Sequence, residues 1–271
     1  MSYSSVRALL NACKAEGRPL YEVILRSDLQ ESGLTETESR ARMRRLWQVM
    51  TETSANYCGA DRSASGFAGG DAAKVEAAAA AGLLYSGGYY AQVIAEALKT
   101  AECNACMKRI VAAPTAGSCR ALYVAAGFLQ VVAARATLAG AEGGCQAEVG
   151  AASGMAAAAL TDLKGGTAEA CAEAFAMALT NLEGLVCDPV AGLVELPCIK
   201  RNVIGAVNAV SAADMALAGV VGHIPADEVI DAMAEVGAAM SRDLRETGIG
   251  GLAGTPTGQA IRDIVTMAEE E

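Results

Sequence analysis

"ALYVAAGFLQVVAARATLAGA", residues 121–141, poses the choice on which the fold depends: a membrane span or a core helix. It approaches membrane length, but Arg135 interrupts it and alanine outnumbers leucine. "VIGAVNAVSAADMALAGVVG" (203–222) poses the same choice, and Asn208 and Asp214 answer it the same way. Both are read as buried helices of a protein that does not enter a membrane. The rest of the composition agrees. Hydrophobic residues make up 53% of the 271 positions but aromatics only 4%, so the apolar content is mainly small and aliphatic, alongside 29 glycines. Small side chains let helices approach closely, and alanine is the strongest helix former.

Outward from that stretch, helical patterns dominate. "SSVRALLNACKAEG" (4–17) and "RPLYEVILRSDLQESG" (18–33) each end on glycine, and Pro19 stands at a helix start. "TETESRARMRRLWQVMTETSANYC" (35–58) opens with Thr35 and Glu38 at capping-box spacing. Its arginines 40, 42, 44 and 45 read as a solvated face. A Gly-rich break at 63–74 precedes one long helix over 87–109. Further helices are expected over 120–139, 147–163, 167–183, 202–221 and 225–243. There is no strand–helix alternation and no repeat. The expectation is an all-α or strongly α-dominated single domain, 1–271, with N-terminal helices over 1–60 and a core over 61–271.

A net charge of −10 excludes a nucleic-acid partner, which requires a basic face. No basic-then-apolar opening marks a signal peptide, and nine cysteines without one imply reduced thiols in the cytoplasm. Three of these, Cys145, Cys187 and Cys198, stand beside glycines or prolines rather than mid-helix. Such breaks favour thiolate ligands, though packing as small hydrophobes explains them equally. "CNAC" (103–106) lacks the second pair or the histidines that zinc needs, and on a helix the two cysteines share a face suited to packing. Cys13, Cys58, Cys119 and Cys171 have no supporting context. Three widely spaced cysteines do not make a ferredoxin run, but they suit a cluster with three protein ligands and one iron left for substrate.

"SGFAGGDAAK" (65–74), "VAAPTAGS" (111–118), "EGGCQAEVGAASGMAAAAL" (142–160), "LVCDPVAGLVELPCIKRNVIGAVNA" (185–209), "AADMALAG" (212–219) and "ETGIGGLAGTPTG" (246–258) follow in family order. They resemble the alpha chain of iron–sulfur-dependent L-serine dehydratase. The resemblance implies a [4Fe–4S] cluster on Cys145, Cys187 and Cys198, and conversion of L-serine to pyruvate and ammonia without pyridoxal phosphate. It also implies a small amino-acid substrate and a separate beta chain that carries the general base. His223, outside every motif, is read as an exposed loop residue.

Within that resemblance, Thr115, Gly117 and Ser118 are candidate donors to the substrate carboxylate, and Lys200, Arg201 and Asn202 are candidate substrate contacts. Lys200 and Ser118 are the candidate catalytic residues. Asp188 is expected to cap the turn at Pro189 or to orient Cys187, and Thr255 and Thr257 to form a second polar wall. The family pattern has a longer segment between Ser118 and Cys145 than the 26 residues found here. A cluster-binding relative with altered or lost activity is therefore the alternative expectation.

Overall fold

The computed structural model describes residues 3–111 and 119–270. Among them there is no strand, and twelve α-helices follow one another. They are α1 (Val6–Glu16), α2 (Leu20–Ser32), α3 (Glu36–Ala55), α4 (Asp71–Ala80), α5 (Gly87–Ala105) and α6 (Cys119–Arg135). After them come α7 (Gly140–Gly143), α8 (Ala151–Leu163), α9 (Ala168–Thr180), α10 (Cys198–Leu217), α11 (Ala226–Ala239) and α12 (Pro256–Glu270). The α-dominated reading holds, and no described helix is long and apolar enough to cross a membrane.

The helix α8 is the axis of the packing. Its sequence, AASGMAAAALTDL, is small or apolar nearly all round, and α6, α9 and α10 all pack on it. Small residues set the spacing. A Cβ added at Gly154 would come within 2.9 Å of the Phe175 ring, so only glycine admits α9 this close. Phe175 in turn stacks on Phe128 of α6, with centroids 4.9 Å apart. These rings and the aliphatics of α1, α2 and α11 make the main core.

Several local signals act as read. Thr35 accepts from the Glu38 N–H while the Glu38 carboxylate accepts from the Thr35 N–H at 2.8 Å, a complete capping box. Gly17 and Gly33 close α1 and α2 in the left-handed conformation. Other boundaries differ. The Gly-rich 63–74 break contains the start of α4, which begins at Asp71 because the buried Glu102 carboxylate accepts from the N–H groups of Gly70 (3.0 Å), Asp71 (2.7 Å) and Ala72 (3.3 Å). Helix α10 starts at Cys198 rather than 202, which puts the Cys-Ile-Lys-Arg-Asn run on its first turn. The helix before α8 is not regular throughout, since a π-turn over Gln146–Gly150 joins Cys145 to it.

Candidate active site

Each of the three singled-out cysteines is fixed by its backbone. Cys145 precedes the π-turn, and the adjacent Gln146 is fully buried. The Gln146 amide donates to Gly143 O (2.9 Å) and Met233 O (3.0 Å), and its carbonyl accepts from Gly184 N–H (2.8 Å). Its own N–H donates to Leu185 O at 3.0 Å, which ties the Cys145 turn to the strand-like stretch that carries Cys187. Cys187 donates its N–H to Leu244 O at 2.8 Å and accepts from Glu246 N–H at 2.7 Å. Cys198 is the first residue of α10.

These anchors bring two of the thiols into one cluster. Cys145 and Cys187 share one buried apolar cluster with Val149 and Leu182. Burial pushes the Cys145 thiol up to about 11, opposed by the Arg201 charge, with Glu148 and Cys198 adding to the rise. Cys187 is pushed to about 12 by burial, then by Glu148, Cys145, Glu246 and Cys198. Burial also raises Cys198, again opposed by Arg201. Cys187 thus feels both other thiols and Cys145 feels Cys198, while Glu148 acts on all three and Arg201 on Cys145 and Cys198.

Gly140 lets Cys187 and Glu148 pack against its backbone. A Cβ there would lie 3.0 Å from Cys187 Sγ and 2.8 Å from Glu148 Oε2. The donor set tests which group would fit. Three soft thiols are the ligands that iron–sulfur clusters take. Among the described residues no three His, Cys, Asp or Glu side chains are grouped to hold a single metal ion.

Around the thiols, carboxylates hold the loops. Asp188 is 3% exposed, and instead of capping the Pro189 turn it accepts from Arg201 NH1 (2.6 Å) and from the Leu252 N–H (2.7 Å). Arg201 NH1 also donates to Val186 O at 2.7 Å, so this guanidinium braces the Cys187 stretch. Lys200 reaches Asp71 Oδ2 at 2.6 Å, joining the first turns of α10 and α4. Lys200 and Lys74 hold the Asp71 carboxyl below its ordinary value. Buried Glu195 accepts from Ser63 (3.0 Å) and Ser65 (2.6 Å), linking the Gly-rich loop to the turn before Cys198.

Asn202 is exposed on the first turn of α10, and His223 is exposed in its loop. Thr255 is committed to the backbone, donating to Leu252 O (2.7 Å) and accepting from Gly258 N–H (3.1 Å), while Thr257 is exposed. Thr115, Gly117 and Ser118 lie outside the described residues. Reasoning from sequence passed over Asp71, Glu148 and Glu195. Asp71 was within reach, because it lies in the "SGFAGGDAAK" stretch (65–74).

The family model "Serine dehydratase alpha chain" matches residues 15–120 and 118–253. The "Probable L-serine dehydratase, alpha chain" of Bacillus subtilis (strain 168) is 43% identical over 96% of this chain and 94% of that protein. The "L-serine dehydratase, alpha chain" of Peptoniphilus asaccharolyticus is 43% identical over 96% of this chain and 97% of its own length. The "L-serine dehydratase 1" of Escherichia coli (strain K12) is 40% identical over 58% of this chain, but only 40% of that longer protein is matched. With near full-length matches at this identity, the chain belongs to the serine dehydratase alpha-chain family, a family of lyases.

Proposed function

We propose that the chain is the alpha subunit of an L-serine dehydratase that carries a [4Fe–4S] cluster on Cys145, Cys187 and Cys198. The observation that supports this reading best is that Cys145 and Cys187, from separate chain segments, share one buried cluster on which Cys198 also acts. When bound, the cluster supplies Lewis acidity, which makes the serine hydroxyl a viable leaving group.

The chain's own residues hold the substrate and brace the cysteines. The substrate carboxylate is held by Thr115, Gly117 and Ser118 together with the Lys200 ammonium, and Asn202 offers a polar contact at the open end of α10. Asp71 fixes where Lys200 points. Arg201 braces the Cys187 stretch through Val186 O and Asp188, and its charge favours the thiolate forms of Cys145 and Cys198 that a metal requires. Loss of the Cα proton and of hydroxide from serine gives aminoacrylate. Its imine tautomer takes up water and releases ammonia and pyruvate, so water is lost and regained. No pyridoxal phosphate takes part.

A beta chain supplies the base in this proposal, and the enzyme works in the cytoplasm. The relatives called alpha chains match nearly end to end, while the longer Escherichia coli protein extends well beyond the matched part, which supports a division into two chains here. The test is anaerobic reconstitution of the full chain with iron and sulfide. A brown product with about four irons per chain and broad thiolate-to-iron absorption is expected. Serine should then perturb its EPR signal after reduction. A colourless product holding only zinc refutes the proposal.

A further inference from the structure

Three cysteines that the proposed chemistry does not use lie together elsewhere. Cys58, Cys103 and Cys106 line one cleft with Asp61, Glu102 and Lys108. Two segments meet there. The Tyr57 hydroxyl, next to Cys58, donates to Glu102 Oε2 at 2.6 Å, and Glu102 is the neighbour of Cys103 on α5. That bond fixes the 57–61 turn against the last turn of α5.

Helix geometry then sorts the two α5 thiols. Cys106 follows Glu102 by four positions, so it shares the face that Glu102 presents to Tyr57. Cys103 is rotated away and is 2% exposed, with its thiol directed at Thr53 O at 3.9 Å. Cys58 is exposed and Cys106 half-buried, so an oxidant reaches these two first. Lys108 pairs with Asp61 on the wall of the same cleft.

We propose that Cys58 and Cys106 form a dithiol oxidation site that closes to a disulfide when hydrogen peroxide reaches the exposed Cys58. The balance is simple. The Cys58 thiolate attacks one peroxide oxygen, giving a sulfenic acid and hydroxide, which takes up a proton to leave as water. The Cys106 thiol then displaces the sulfenic hydroxyl as a second water, forming the S–S bond. Two thiols are oxidised by two electrons and one peroxide is reduced to two waters. The bond locks the turn after α3 to the end of α5, beside the carboxylate that holds the start of α4 and hence Asp71 and Lys200.

The test is stoichiometric hydrogen peroxide on the full-length protein, followed by alkylation and tryptic mapping. Cleavage after Arg45, Arg62, Lys99 and Lys108 puts Cys58 in residues 46–62 and Cys103 with Cys106 in residues 100–108. The expected product is a crosslink between these peptides, assigned to Cys106 by fragmentation and reversed by a thiol reductant. It should persist in C103S and be lost in C106S. A Cys103–Cys106 bond instead, a full yield of alkylated Cys58 after oxidation, or bound zinc that shields the trio from alkylation would each overturn the proposal.

Discussion

Replacing Asp188 by asparagine is the sharpest test of how the candidate site is held. The side chain keeps its shape but loses its charge and one acceptor oxygen. Asp188 accepts from Arg201 NH1 through Oδ1 and from the Leu252 N–H through Oδ2, at 2.6 and 2.7 Å. An amide turned either way presents an NH₂ to one of those donors. If it faces Arg201, the cation keeps only Val186 O. If it faces Leu252, a backbone N–H is orphaned. Removing one partner of a buried pair costs about 3–5 kcal/mol. Arg201 is 16% exposed on its side chain and retains Val186 O, so the lower end, about 3 kcal/mol, is expected. Urea unfolding of the metal-free full chain should show the midpoint falling with an unchanged slope. Arg201→Met alone should also destabilise, and the double variant should lose less than the sum, with a coupling of about 1 kcal/mol or more. Amide exchange should quicken at Leu252 in D188N. A D188N midpoint equal to that of the parent protein, or strictly additive single variants, would mean that this pair does not hold the loop.

Single serine replacements at Cys145, Cys187 and Cys198 should each cut reconstituted iron to well below the parent's, measured by iron quantitation. C103S should leave it unchanged, and loss of iron in C103S would move the cluster elsewhere. Glu102→Gln keeps acceptance from Asp71 and Ala72 but orphans the Gly70 N–H, so a loss of about 1–3 kcal/mol is expected in thermal or urea unfolding. Tyr57→Phe removes one donor only and should cost less, and the reverse order would refute the assignment. Burial pushes the Cys171 thiol up to about 12 and Cys13 to about 11, above the ordinary value of 9.0. A raised folded-state value means stability is intact below pH 9 and is lost as pH rises through 11 and 12. Unfolding midpoints should therefore fall between pH 9 and 11, and Cys171→Ala should flatten that fall.

What the sequence made legible was whatever neighbouring residues decide between themselves. The Thr35–Glu38 box, the Gly17 and Gly33 stops and the Ala-rich core helices all follow from residues a few positions apart. The candidate cysteines were also visible, because glycine and proline next to a thiol break the helical pattern. The start of α4 was not. Its cap is Glu102, 31 residues away from Asp71, so nothing near Asp71 announces it. Nor was the role of Arg201 visible, since a basic residue after a proline turn looks available to a substrate until Asp188 and Val186 are seen to occupy it. The same physical cause lies behind both cases. Glu102, Asp188 and Asp227 each accept from backbone N–H groups of distant segments, and a backbone donor carries no residue identity that a sequence pattern could reveal. Buried carboxylates of this kind must be paired or the charge is too costly to bury, so each one fixes a loop as firmly as it is itself fixed. The cysteines are the candidate ligands of the proposed cluster, but the shape of the region around them rests on acids that no motif distinguishes. Conservative amide substitutions at those acids should therefore disturb the site more than changes to the exposed polar residues that line it.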